Sequence, residues 1–358
     1  MAISSRYYLF FTFLFGFFSF LLAQSEERSV FVKKIEGSIQ VDGVLNEALW
    51  ATAETTEDFW QIFPLDTVKA IDVTSIKMLY NDEYLFIGIE ALSDDPNFIV
   101  SSLKRDFGAR NNDNVTVVFD TFQDGQNAFL FGVSAYGVQR EGLVSDRGID
   151  ISGFNLSWDT KWFSESRSDG KGFRIEMAIP FSSIKYAENS KKWGFQAYRY
   201  NLQTNERSIW TNVPQNQIPV NLGYLGILEF EKPLQKSKNP IYVIPYLNGL
   251  AASDFNTNTT KQSLRVGGDL KIPIGNSLNL DVTLNPDFSN VEVDNVITNL
   301  TRFEISLPEK RQFFIDNGDL FGNFGSFRDA IPFFSRRIGI ARDKEGNSIQ
   351  NSILGGVR

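Results

Sequence analysis

The most regular stretch of the chain runs from Ser263 to Phe288. Taken two at a time, one register reads Leu264, Val266, Gly268, Leu270, Ile272 and Ile274, and the other Ser263, Arg265, Gly267, Asp269, Lys271 and Pro273. After Gly275, Asn276 and Ser277 the alternation returns, with Leu278, Leu280, Val282, Leu284 and Phe288 against Asn279, Asp281, Thr283, Asn285 and Asp287. A period of two sends successive side chains to opposite faces, so the pattern predicts a hairpin with one apolar and one polar face. Each arm has about 12 residues, or about 40 Å at roughly 3.3 Å per residue, about twice an ordinary strand. Two architectures use such strands. One is an outer-membrane β-barrel, with lipid outside and a polar lumen inside; the other is a long hairpin of a soluble sandwich.

Upstream, from Val30 to about Glu231, the pattern is of short strands separated by turn signals, which predicts an antiparallel β-sandwich. Ile76 to Tyr80 and Leu85 to Ala91 flank Asn81, Asp82 and Glu83 as a hairpin. Further strands are expected at Val115 to Phe119, Phe129 to Val133, Phe173 to Ile179, Trp193 to Tyr200 and Leu225 to Phe230. Leu45 to Trp50 reads as one or two helical turns with Leu45 and Leu49 inward. Lys232 to Asn239 is polar and basic and carries Pro233, which marks a linker. Beyond it, Ile241 to Gly249 alternates again. The fold class is therefore all-β: a sandwich over 24–231, a linker over 232–239, and long antiparallel hairpins over 240–358. A barrel needs about eight strands to close, and only four or five are visible after residue 239. The barrel is thus expected to be incomplete, its remaining strands lying beyond this chain.

The N-terminus changes the picture. Arg6, the apolar run Tyr7 to Leu22, and Ala23 ahead of Gln24 and Ser25 have the form of a secretory signal over 1–23. The expectation is an exported protein of the bacterial envelope. The 358 residues carry 35 basic and 43 acidic side chains, a net charge of −8. That balance argues against a nucleic-acid partner, which needs a basic surface. The chain contains no Cys and no His. Thiol and imidazole chemistry are excluded, together with the usual zinc ligands. A metal would have to be held by oxygens, and catalysis would fall to carboxylates, Lys, Tyr or Ser.

Several blocks in order resemble carbohydrate-binding module family 9. They are Ile39 to Trp50, which contains Val41-Asp42-Gly43, then Tyr80 to Ile87, Asp113-Asn114-Val115 leading to Asp120, Phe129 to Gly137, and Gly172 to Pro180. Residues after 239 resemble an uncharacterised outer-membrane-barrel family, on Asn285-Pro286-Asp287-Phe288 and Leu307 to Phe314. The first resemblance implies a sandwich whose aromatic clamp stacks on a sugar, with polar side chains collecting hydroxyls. Trp50, Trp193 and Trp210 fit the core. Trp60, Trp158 and Trp162 have polar, loop-like surroundings and are the clamp candidates. Arg105 and Asp106, with Arg140 and Glu141, could collect hydroxyls; a surface ion pair is the alternative. Modules of this type often hold a structural calcium, for which Asp113, Asp120 and Asp124 are the candidate ligands; solvated strand-end carboxylates are the alternative. Phe313 and Phe314 beside Glu309, Lys310 and Arg311 would sit at a membrane interface in a barrel, or beside the core in a soluble domain.

Three functions follow as expectations. The first is an envelope protein whose sandwich binds a carbohydrate and whose barrel meets outer-membrane lipid. The second is an exported glycoside hydrolase using a carboxylate pair. The third is a scaffold or plug domain that binds no ligand.

Overall fold

The computed structural model describes residues 28–95, 97–156, 158–235, 241–254, 259–274, 278–286, 309, 311–315, 334–342, 344, 348–351 and 353–358. The expected signal at 1–23 lies outside the described residues, as do the turn at 275–277 and Phe288. The sandwich begins with β1 (Ser29–Lys34), β2 (Thr55–Thr56), β3 (Trp60–Phe63), β4 (Thr74–Tyr80) and β5 (Tyr84–Leu92). It continues through β6 (Asn114–Asp120), β7 (Ala128–Ser134), β8 (Gln139–Val144), β9 (Phe154–Asn155) and β10 (Phe163–Ser168). It ends with β11 (Gly172–Pro180), β12 (Lys192–Asn201), β13 (Glu206–Ile209) and β14 (Gly226–Phe230).

β1 is the seam of the sandwich. Ser29 to Val32 pair in parallel with Ile227 to Phe230, and Lys33 and Lys34 pair with Leu79 and Tyr80. One strand therefore serves two layers, β10-β11-β5-β4 and β14-β12-β6-β7-β8-β9. Between them Ile76, Met78, Ile87, Ile89, Ile175 and Met177 meet Val115, Val117, Phe119, Phe131, Val133 and Phe195 in one apolar cluster. The intervening residues on the same strands are covered too. Val118, Leu130 and Tyr198 pack beneath Ile62, Val213 and Leu222. Leu79, Phe86 and Ala178 pack beneath Ile35, Ile39 and Trp50. Burial on both faces explains why the central strands read as continuous apolar runs.

The cover over the first layer is a flap, residues 35–53, held by one carboxylate. Glu176, fully buried on β11, accepts from Asp42 N (2.8 Å), Gly43 N (3.0 Å) and Trp50 Nε1 (2.9 Å). Gly43 turns the flap at φ +79°, a left-handed conformation that glycine adopts without strain. The expected helical turns are a single 3₁₀ turn, Ala48–Thr52. At the other end of the sandwich, the predicted linker starts too early. Leu234 is buried in the core, its N–H donates to Ser190 O (2.8 Å), and Tyr186 OH donates to Gln235 O (2.8 Å). Residues 232–235 belong to the sandwich because apolar Leu234 has a core site, which local polarity hides.

The C-terminal region forms a separate sheet from β15 (Tyr242–Asp254), β16 (Thr259–Ile274) and β17 (Leu278–Leu284), with β18 (Ile340–Arg342) and β19 (Ser348–Gln350) pairing apart. β20 (Gly355–Val357) completes the order β15-β16-β17-β20. The predicted register holds: Val266 lies opposite Leu247, Leu270 opposite Val243 and Val282, and Val357 opposite Val282. One face is apolar as far as Leu264 and turns polar at the far end of the β15–β16 pair, where Gln262 lies opposite Ala251 and Thr260 opposite Ser253. Phe313 is not on that face. Its ring packs against Gly356 on the polar face, with the Arg358 guanidinium 5.1 Å away.

Candidate functional site

A groove of about 390 Å³ opens between the flap, the outer face of β5 and the edge strand β10. Strand alternation builds its apolar wall. Tyr84 and Phe86 point outward from β5 while Leu85 points into the core, and Phe163 stands opposite Ala178 on β10. The Tyr84 ring lies 5.7 Å from Phe86 and 6.3 Å from Phe163, and Trp162 and Ile39 complete the apolar lining. The rim is polar, with Ser38, Gln139, Ser164 and Glu165. Gln139 Nε2 donates to Ser164 Oγ (3.0 Å), which fixes the amide with its carbonyl oxygen as an acceptor. Aromatic faces beside hydroxyl, amide and carboxylate groups suit a ring ligand that is apolar on its faces and hydroxylated at its edge.

Gln139 leads along β8 into an acid–arginine cluster. Glu141 lies opposite Phe131, so its side chain turns to the interlayer side and is wholly buried. It accepts from Arg105 Nε (3.0 Å) and pairs with Arg105 Nη2, which also reaches Asp159 (3.3 Å) and Thr160 O (3.3 Å). Asp106 Oδ1 accepts from Glu141 N (3.2 Å). Burial outweighs the Arg105 bond and raises the Glu141 carboxyl to about 7. Burial likewise raises Asp106. Burial opposes the charge of Arg105, but Glu141 and Asp159 outweigh it and raise its pKa.

Arg140, next on the strand, faces the opposite way. It stacks 5.7 Å from Phe107, while its Nε and Nη1 make no hydrogen bond. Arg105, Asp106 and Glu141 thus come together as the sequence suggested, and Arg140 does not join them. The surface ion pair is also corrected, since one partner is fully buried.

The three tryptophans proposed as a clamp do not converge. Trp158 is buried beside Phe129 (5.3 Å) and Phe131 (6.1 Å). Trp162 is buried against Phe131 (5.2 Å) and presents only its remaining edge to the groove; its Nε1 has no acceptor. Trp60 is half-buried on β3 with Lys69 Nζ 3.9 Å above its ring. Trp158 and Trp162 turn inward beside exposed Asp159 and Lys161, and Gln61 next to Trp60 is itself buried. The groove aromatics Tyr84, Phe86 and Phe163 were missed, although the alternation of Tyr84, Leu85 and Phe86 carries the signal.

The aspartates do not form a calcium site. Asp113 accepts from Ile99 N (2.5 Å) and Leu202 N (2.6 Å) at the start of β6. Asp120, at the far end of β6 about 20 Å away, accepts from Phe122 N (3.2 Å) and Gly125 N (2.8 Å). Asp124 caps the same turn, accepting from Gln126 N (2.7 Å). Their oxygens are used by backbone donors, and among the described residues no cluster of three acidic side chains could hold a metal.

Residues 41–217 match the family model described as carbohydrate family 9 binding domain-like, and residues 240–353 match a domain of unknown function, DUF5916. Among solved structures, a family 9 carbohydrate-binding module from Caldicellulosiruptor kristjanssonii is similar in complexes with cellotriose and with glucose. Each is 16% identical with a TM-score of 0.41, covering 60% of this chain and 98% or 99% of that one. A candidate carbohydrate-binding protein from Bacteroides uniformis is 13% identical with a TM-score of 0.46, covering 57% of this chain and 99% of that one. No curated protein matches the chain.

Proposed function

We propose that this is an exported envelope protein whose sandwich binds a saccharide in the groove beside Tyr84, Phe86 and Phe163, and whose C-terminal sheet anchors it in the outer membrane. The observation that carries the binding half is the coincidence of the family-model match over 41–217 with a sandwich that opens such a groove. Sugar faces would stack on the Tyr84 and Phe163 rings, and Ser38, Gln139 and Glu165 would take hydroxyls. The Arg105–Glu141 pair sits behind the rim as a positioning group that fixes β8 under Gln139.

Glycoside hydrolysis needs two carboxyls flanking the scissile bond. Glu141 has a suitable pKa, but its burial behind Arg105 keeps it from a substrate oxygen. The scaffold reading is favoured by a different observation, the burial of Trp158 and Trp162. Calorimetric titration of the chain with a panel of mono- and oligosaccharides separates the two. A saturable heat with at least one sugar, weakened about tenfold by Tyr84→Ala or Phe163→Ala, is expected for a stacking contact worth roughly 1.4 kcal/mol. A flat response to every sugar selects the scaffold.

A further inference from the structure

The C-terminal sheet is inside out with respect to water. Val243, Leu264, Val266 and Val357 stand 67–72% exposed on its apolar face, whereas Asp281 and Thr283 on its polar face are 6% and 2% exposed. A soluble sheet buries the opposite set. The chain itself covers the polar side along β17 and β20. Arg358 pairs with Asp281 and donates to Phe313 O, which pins the Phe313 ring over Gly356. Beneath it Thr283 Oγ1 donates to Asp269 Oδ1 (2.5 Å).

The covering segment is rigidly tied at its other end. Arg311 is bidentate to Glu309, with Nε to Oε1 at 2.8 Å and Nη2 to Oε2 at 2.7 Å. Its Nη1 donates to Ile338 O (2.9 Å), and Ser335 Oγ donates to Glu309 Oε2 (2.6 Å). Such a network holds a fixed geometry and is unlike a mobile loop.

We infer that the apolar face is packed by lipid acyl chains and that the segment around Arg311 to Phe314 is an inner strap, folded against the polar face and closing it to water. This rests on the anchoring reading above and goes beyond it, because an anchor alone needs no strap. Lipid is the occupant that fits. The face is apolar from Val357 and Val282 across to Leu264 and Leu247, β16 alone has 16 residues, and the polar Asp281 and Thr283 of β17 lie on the opposite side, covered by the chain. A wall so arranged has its inner surface filled along β17 and β20, and passage along that surface requires the strap to move.

The absence of Cys makes the test direct. The full chain is reconstituted into phosphatidylcholine vesicles carrying doxyl-labelled acyl chains, as Val266→Cys, Thr283→Cys and, for reference, Ser101→Cys on the exposed surface of the sandwich. Bimane at Val266→Cys should be quenched by the doxyl groups. Thr283→Cys should react with an aqueous maleimide several-fold more slowly than Ser101→Cys, and either Arg358→Ala or Phe313→Ala should restore most of that rate without changing the Val266→Cys quenching. An unquenched Val266→Cys overturns the anchoring reading and the inference together. Quenching at Val266→Cys with fast labelling of Thr283→Cys, or slow labelling that neither strap variant relieves, overturns the strap alone.

Discussion

Two buried glutamates, Glu141 and Glu176, differ in how their oxygens are bonded. Glu176 spends both oxygens on donors of the flap, so Glu176→Ala would strand Asp42 N, Gly43 N and Trp50 Nε1 at once. A loss of about 2–3 kcal/mol is expected for that many unmet buried donors. It would show as a lower urea midpoint and a red-shifted Trp50 emission. Glu141 instead keeps one oxygen, Oε2, without a partner and is raised to about 7 from an ordinary 4.5. Between those two values the folded protein holds a proton that the unfolded chain has released. Stability therefore falls as pH rises through that window, by up to about 3 kcal/mol at roughly 1.4 kcal/mol per pH unit. Asp106, Asp113, Asp120, Glu176 and Glu206 are raised in the same sense by burial, so the wild-type slope contains several groups. Chemical denaturation of wild type and Glu141→Gln at pH 5 and pH 8 isolates one of them. The variant should lose part of the decline, and an unchanged slope would remove Glu141 as its source.

At the scale of elements, the flap and the groove depend on a glycine. A Cβ on Gly88 of β5 would lie 2.5 Å from Leu45 Cδ2 and 3.2 Å from Trp50 Cη2, so Gly88→Val crowds both side chains and is expected to displace the flap from the sheet. The overpacking should lower stability by about 1–3 kcal/mol. Because Ile39 of the flap lines the groove, it should also weaken saccharide binding in the same calorimetric assay. An unchanged urea midpoint would mean that the flap is not packed as described. The hairpin of β4 and β5, the strands β6, β7, β11 and β12, and the long pair β16–β17 were all legible in the sequence. Their apolar residues are dense enough to mark them. β8 and β10 were not legible. Gln139, Arg140, Glu141 and Gly142 look like a loop, and β10 carries Ser164, Glu165, Ser166, Arg167 and Ser168 because it is an exposed edge. The groove is built between these two strands, the flap and β5, so its composition depends on contacts that no local pattern encodes. The same limit explains the tryptophans. Polar neighbours describe which way the backbone faces solvent, and they say nothing of what an indole packs against.

At the scale of the whole molecule, the apolar clusters among the described residues lie between Val30 and Leu234, and no described residue of the C-terminal sheet joins them. The sandwich has a complete core of its own, whereas the sheet turns Val243, Leu264 and Val266 outward. The two regions should therefore respond independently to substitution. Val266→Arg places a charge on the proposed lipid face, where it costs about 2–4 kcal/mol near the middle of a bilayer and less near its edge. Flotation of the chain with vesicles should drop sharply for this variant. Its thermal transition, followed through the near-ultraviolet signal of the buried Trp50, Trp193 and Trp210, should stay at the wild-type temperature, as should its saccharide titration. Tyr84→Ala should show the converse, with a weakened titration and normal flotation. If Val266→Arg instead lowers the transition of the sandwich while flotation persists, then the apolar face is buried against protein, and the sheet is part of a soluble core rather than a membrane wall.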